Sequence, residues 1–246
     1  MIQDLYVGGD TMKRVLAVFA HPDDETFICG GTLAKLAKTG HRVALACATR
    51  GEMGRRMGVP PTATRESIGQ VREQELKLAC DALGVVDVHF MNYRDKSLEI
   101  QVESELIDAV RKQVEAAQPD VVITFHEQLG GHPDHCTIGS ATTAAFQAYQ
   151  LAHPQSALLF VTWTKEVSNP EGLNVLKRVL VVDVSDVLQE KRRAYRAHLT
   201  QSGMNSWLFD DLSASLSRLG HREHFLQSQT SSKAVDVKSL LPGIFR

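Results

Sequence analysis

The sequence predicts an α/β fold: one doubly wound domain with a mainly parallel sheet and helices on both faces. Three observations carry that expectation. Short, continuously apolar runs such as V-L-A-V-F (Val15–Phe19) and V-V-I-T-F (Val121–Phe125) read as strands buried on both sides. Stretches of helical periodicity stand between such runs. Stop residues, among them Gly40, Gly84 and Pro119, punctuate the joins. A length of 246 residues fits a single domain, 1–246, with a sizeable core.

The elements follow in order. Residues 1–14 read as an N-terminal extension without the basic-then-apolar pattern of a secretory signal. Val15–Phe19 is the first strand, Glu25–Thr39 a helix stopped by Gly40, and Arg42–Ala48 the second strand. The 53–64 stretch, with Gly54, Gly58, Pro60 and Pro61, reads as a long loop over the sheet edge. Arg65–Leu83 is a helix that Gly84 ends, and Val88–Met91 is a short strand. Val102, Leu106, Val110 and Val114 stand at helical spacing within a helix over Val102–Ala117. Val121–Phe125 is the fourth strand, followed by a helix over His135–Leu151. Leu158–Thr162 and Val179–Val184 are further strands. Ser185 is read as the N-cap of a helix running to about Thr200. The segment 203–246 has no clear pattern, and G-H-R-E-H-F (220–225) reads equally as a surface helix, a strand, or a stretch that brings His224 near a site.

Composition narrows the function. A net charge of −2 argues against a nucleic-acid binder or a polybasic membrane binder. No run approaches the roughly 20 apolar residues of a membrane span. The cysteines, Cys29, Cys47, Cys80 and Cys136, are scattered and form no C-x-x-C pair, which fits reduced thiols in a cytoplasmic protein.

In a doubly wound sheet, ligands bind outside the C-terminal ends of the strands. Three polar clusters fall there: His21–Glu25, Thr49–Gly54 and His126–His135. A dinucleotide would need G-x-G-x-x-G in the first strand–helix turn. That turn instead holds Asp23, Asp24 and Glu25, which would repel a phosphate at the helix N-terminus. Carboxylates and a histidine at a strand end make sense around a cation. Zinc accepts both imidazole nitrogen and carboxylate oxygen. His21 and Asp24 lie three apart across a turn, and H-P-D-H (132–135) can supply a third ligand from the neighbouring strand end. Three protein ligands with room for water is the catalytic rather than the structural arrangement. Each residue also has a plain structural role open to it, since a lone His-Pro is often a turn and a lone Asp a helix cap. Two His-Pro-Asp clusters at adjoining strand ends are harder to explain that way.

A-H-P-D-D-E (20–25) together with H-P-D-H resembles the signature of the zinc-dependent N-acetylglucosaminyl deacetylases, also called LmbE-like or PIG-L-like. The resemblance extends through Thr49–Glu52, Arg72 with Glu75, Tyr93–Asp95, Lys191, His198 and Gln201. G-E-M-G-R-R-M-G (51–58) and Y-R-D-K-S-L-E (93–99) are similar to the second type of bacillithiol-biosynthesis deacetylase. It implies an LmbE-like fold, Zn2+ or another divalent metal, and a small sugar substrate, with N-acetylglucosaminyl malate foremost. It implies His21, Asp24 and His135 as metal ligands, Asp23 as general base, and His132 beside the metal. Arg72 and Asp95 would hold the sugar and its substituent, with Glu52 a further candidate. Assemblies are common among such enzymes, so a homo-oligomer is compatible. The chain departs from many relatives at Gly130, where an aromatic residue is usual. The competing readings are an amidase or deacetylase of another glycoside or thiol-sugar conjugate, and a non-catalytic metal-binding protein on the same fold.

Overall fold

Apolar runs without alternation require cover on both faces, and the chain folds accordingly. The computed structural model describes residues 12–163, 179–228 and 235–246. In chain order the strands are β1 (Arg14–Phe19), β2 (Arg42–Thr49), β3 (Asp87–Tyr93), β4 (Val121–Phe125), β5 (Ala157–Thr162), β6 (Val179–Asp183) and β7 (Arg222–Gln227). The helices are α1 (Asp24–Lys38), α2 (Ile68–Leu83), α3 (Glu103–Ala117), α4 (Pro133–Ala152), α5 (Leu188–Ala197), α6 (Leu199–Ser202), α7 (Leu212–Arg218) and α8 (Val237–Leu240). Together the strands form one sheet in the order β3-β2-β1-β4-β5-β7-β6. The first five strands pair in parallel, as the sequence predicts.

The strand order reverses between β1 and β4. That switch point opens a crevice at their C-terminal ends. Phe19 and Phe125 close its floor edge-to-face, 5.2 Å between ring centroids. Both are fully buried, and each burial stabilises the fold by about 2–3 kcal/mol. Close approach of α4 to the end of β4 depends on Gly139, where a Cβ would lie 2.4 Å from the Phe125 carbonyl oxygen.

Two features differ from the sequence reading, and a third decides between its alternatives. The predicted helix from Ser185 to Thr200 is broken. Ser185–Val187 is a 3₁₀ turn, and Ser185 does not cap it; its N–H donates to Asp183 Oδ1 at 2.9 Å. The helix then stops at His198 (φ −81°, ψ 58°) before α6 begins. The break lets His198 turn inward, where its side chain is fully buried. Second, α1 is interrupted at Cys29 (φ −139°). The amides of Gly31 and Thr32 donate to Glu223 of β7, at 2.9 and 2.6 Å. Third, the segment 220–225, open in the sequence to a surface helix or a strand, enters a strand: Arg222–Gln227 is β7, antiparallel to both β5 and β6 and lying between them.

Candidate active site

Hydrogen-bond partners fix where the protons of the site's histidines lie. His135 stands in the first turn of α4, and its Nδ1 faces the Gly130 carbonyl oxygen at 2.8 Å. A carbonyl only accepts, so Nδ1 carries the proton and Nε2 presents a lone pair. His21 follows β1. Its Nε2 faces Asp134 Oδ2 at 3.1 Å and Asp95 Oδ1 at 3.2 Å. Carboxylates also accept, so the Nδ1 of His21 presents a lone pair in turn. These two bare nitrogens lie 3.2 Å apart. Asp24 Oδ1 stands 3.2 Å from His135 Nε2, and Asp24 Oδ2 lies 3.6 Å from His21 Nδ1. Three side-chain acceptors therefore converge; the His21 N–H donates to Asp24 Oδ2 at 2.8 Å, and no side-chain donor among the described residues stands between the three.

Such a cluster demands positive charge at its centre. Left to itself it takes protons: burial disfavours charge on His21, but Asp134, Asp95 and Asp24 outweigh it and push the imidazole up to about 10. His135 is raised in the same way, burial being overcome chiefly by Asp24. Burial would raise the Asp24 carboxyl, yet His135 and His21 hold it down at about 2. A divalent ion meets the same demand. Two nitrogens bound at about 2.05 Å to one tetrahedral ion would stand about 3.3 Å apart, close to the spacing found. The donor set thus fits a zinc-like metal. The hydrogen bonds to Gly130, Asp95 and Asp134 fix each ring's tautomer, as outer partners of metal-binding histidines do.

Asp23 stands beside this cage on a strained turn, with φ 127° in a region that side chains rarely adopt. Two braces hold it. Its N–H donates to Glu25 Oε2 at 3.0 Å, and Glu25 Oε1 accepts from His198 Nε2 at 2.7 Å. Arg72 reaches over from α2, its Nη2 lying 3.1 Å from Asp23 Oδ2. Burial pushes the Asp23 carboxyl up to about 6, against the pull of Arg72. The guanidinium also donates to the carbonyls of Pro22 and Gly51. Gly51 is required there: its φ is +63°, and a Cβ would meet Arg72 Nη1 at 2.1 Å.

His132 caps α4. Its Nδ1 accepts from the Asp134 N–H at 3.1 Å. That fixes the proton on Nε2, so even the neutral ring is a donor. Burial, then His21 and His135, lower its pKa.

These residues line a cavity of about 790 Å³ with Phe27, Trp163 and Gln201. The structure brings His21, Asp23, Asp24, Arg72, Asp95, His132 and His135 together, as sequence reasoning groups them. Arg72 is 3% exposed, and its contacts are with Asp23 and backbone carbonyls. Asp95 faces His21 and accepts from the Met53 N–H at 2.8 Å. Glu52 belongs to the same loop but lies outside the cavity lining. His224 sits on β7, opposite Thr162 and Val181, also outside it. At position 130 a Cβ would come 2.9 Å from His135 Cβ, so this backbone has no room for an aromatic. Trp163, beside Gly131, supplies an aromatic wall instead.

Sequence reasoning assigned no role to Asp134, and placed Glu25 merely in the first turn of α1. Both look like ordinary acidic residues at a helix start. Only their partners, His21 and His198, 113 and 173 residues distant, distinguish them.

Fold and site together define a class: a doubly wound α/β protein with two histidines and a carboxylate at its switch point, grouped so that they could hold a metal ion. The chain belongs to the PIG-L family, described as GlcNAc-PI de-N-acetylase, which matches residues 16–146. A relative from Bacillus anthracis is 44% identical over 200 residues, covering 77% of this chain and 81% of that one. It is named "Probable N-acetyl-alpha-D-glucosaminyl L-malate deacetylase 2". A relative from Actinosynnema mirum is named 1D-myo-inositol 2-acetamido-2-deoxy-alpha-D-glucopyranoside deacetylase. It is 31% identical over 234 residues, covering 76% of this chain and 80% of that one. Among solved structures, the N,N'-diacetylchitobiose deacetylase of Pyrococcus horikoshii superimposes with a TM-score of 0.66 at 22% identity. It covers 89% of this chain and 84% of that chain, and supports the fold.

Proposed function

We propose that the protein removes the N-acetyl group from an N-acetylglucosamine conjugate, with N-acetylglucosaminyl malate as substrate. The observation that carries this reading is the convergence of three acceptors, from His21, Asp24 and His135, beside the Asp23 carboxylate, which pairs with Arg72 and lines the cavity. The 44% identity to a relative named for that substrate supports the choice of sugar conjugate.

His21 Nδ1, His135 Nε2 and the Asp24 carboxylate would hold Zn2+. When bound, the ion supplies Lewis acidity, which makes water nucleophilic near neutral pH. Asp23 is the general base. Its carboxyl, raised by burial, sits near the operating pH, where such a base works best. Arg72 keeps Asp23 pointed into the cavity and limits how far burial raises it. His132, holding its proton on Nε2, donates to the oxygen that gains negative charge as the amide is attacked; such a donor is worth about 10²–10³ in rate. Neutral imidazole is a poor acid, so Asp23 returns the proton to the leaving amine. Trp163 and Phe27 offer apolar surface for the sugar ring.

The test is acetate release from N-acetylglucosaminyl malate, first after chelation and dialysis, then after Zn2+ is restored. Activity that appears only with the ion is the expected result. Absence of acetate from this conjugate, with release from a different one, would overturn the substrate; no dependence on the ion would overturn the metal.

A further inference from the structure

Arg72 was the natural partner for an anionic substituent on the sugar, but its guanidinium is buried and turned toward Asp23, Pro22 and Gly51. Three other cations line the same cavity: Arg55, Arg65 and Lys96. All three are exposed. None makes an ion pair among the described residues. The acids of the cavity, Asp23, Asp24 and Asp95, already have Arg72 or an imidazole as partner. Among the described residues, the cavity's acids are thus paired, while its three exposed cations have no ion-pair partner.

Arg55 and Lys96 are also carried on a backbone fixed by hydrogen bonds, and Arg65 is held through its side chain. Gln201 clamps Arg55 from both sides, donating to its carbonyl at 2.8 Å and accepting from its N–H at 3.3 Å. Met57 N–H donates to Thr200, tying the same loop to α6. Arg65 Nη1 donates to the carbonyls of Glu52 and Gly54, at 2.9 and 3.1 Å, which leaves the rest of its fork free. Lys96 occupies a left-handed conformation, φ 61°, and its N–H donates to Asp134 at 2.7 Å. Asp134 also orients His21, so Lys96 is held in register with the metal cage. Fixed backbones reduce the ordering needed on binding.

We propose that Arg55, Arg65 and Lys96 form an aglycone subsite that selects sugar conjugates bearing carboxylates, and a dicarboxylic acid above all. Two carboxylates on one small substituent can meet guanidinium forks and an ammonium at once, with charge-assisted hydrogen bonds. A neutral polyol such as inositol offers no charge to these groups. This rests on the deacetylase reading and adds the origin of its specificity.

The experiment compares kcat/KM for N-acetylglucosaminyl malate with that for the neutral N-acetylglucosaminyl inositol, using the zinc-loaded full chain. The variants are Arg55→Met, Lys96→Met and the pair together; both positions are exposed, and thermal melts check the fold. The malate-to-inositol ratio is expected to fall about 5–10-fold for each charge removed, and to fall with rising salt in the wild type, since exposed charges are screened. An unchanged ratio in the double variant, with activity on malate intact, would overturn the subsite and leave the deacetylase reading standing. Acetate release from neither compound by the wild type would overturn the deacetylase reading itself. Inhibition by the product, glucosaminyl malate, gives a second readout. It is expected to weaken with the same substitutions, while inhibition by free glucosamine does not follow.

Discussion

At the scale of single residues, the proposed function divides a group that moves a proton from groups that grip a cation. Asp23 and Asp24 are neighbours in sequence, yet the first is raised to about 6 and the second lowered to about 2. Burial acts on both; what differs is that Asp24 faces two imidazoles and Asp23 faces one shared guanidinium. Asp23→Asn is expected to lower kcat/KM by about 10²–10⁴-fold, with the zinc content, measured by elemental analysis, unchanged. Loss of the metal in that variant would refute the division. A pH effect belongs to His198. Burial disfavours its charge, but Glu25 outweighs burial and raises it above its ordinary value. A raised histidine stabilises the fold fully below about pH 6.5, and that contribution fades as pH rises through the folded-state value. His198→Ala breaks a buried pair and is expected to destabilise by about 3–5 kcal/mol at pH 6. The gap between variant and wild type should narrow in urea titrations toward alkaline pH. A gap that widens instead would mean His198 is neutral in the fold.

At the scale of elements, the legible parts were those written locally. β1 and β4 show themselves as unbroken apolar runs, and α3 as a helical stripe, because burial imprints its period directly on the chain. The left-handed stop at Gly84 (φ 74°) was equally plain. The pairing of the two His-Pro-Asp clusters could be read because the switch-point rule brings the ends of β1 and β4 together. What could not be read depends on distant partners. R-E-H-F-L-Q hides β7 because Glu223 points inward to serve α1 rather than pairing outward. The break at His198 hides because a helix former on either side gives no warning of Glu25. Arg72 looked like a ligand-binding group because nothing nearby in sequence reveals that carbonyls 50 and 21 residues away occupy it. The close helix–strand approach makes its own prediction. Gly139→Ala forces a methyl against the Phe125 carbonyl and should cost about 1–3 kcal/mol in urea unfolding. Because α4 carries His135, zinc affinity should weaken with it.

At the scale of the whole molecule, the last strand holds up the first helix. Glu223 accepts from Gly31 and Thr32 and pairs with Lys191 Nζ at 2.7 Å, in a contact almost wholly buried. Glu223→Ala would leave the Lys191 ammonium with the Gly220 carbonyl but no carboxylate, and take the acceptor from two amides and the Thr32 hydroxyl; a loss of about 3–5 kcal/mol is expected. Replacing both Glu223 and Lys191 by apolar residues should recover part of that loss in the same melts. A double variant no more stable than Glu223→Ala would show that the amides, not the ammonium, dominate. No helix among the described residues is long and apolar enough to cross a membrane.

The position of β7 has a consequence in time. A ribosome delivers His21, Asp23 and Asp24 more than a hundred residues before His132 and His135. The groups that steady them, His198 and Glu223, emerge more than sixty residues after His135. A nascent chain therefore holds the three proposed metal ligands before it can fix the turn that bears Asp23. A chain stopped between His135 and His198 is expected to carry both His-Pro-Asp clusters without the groups that brace them.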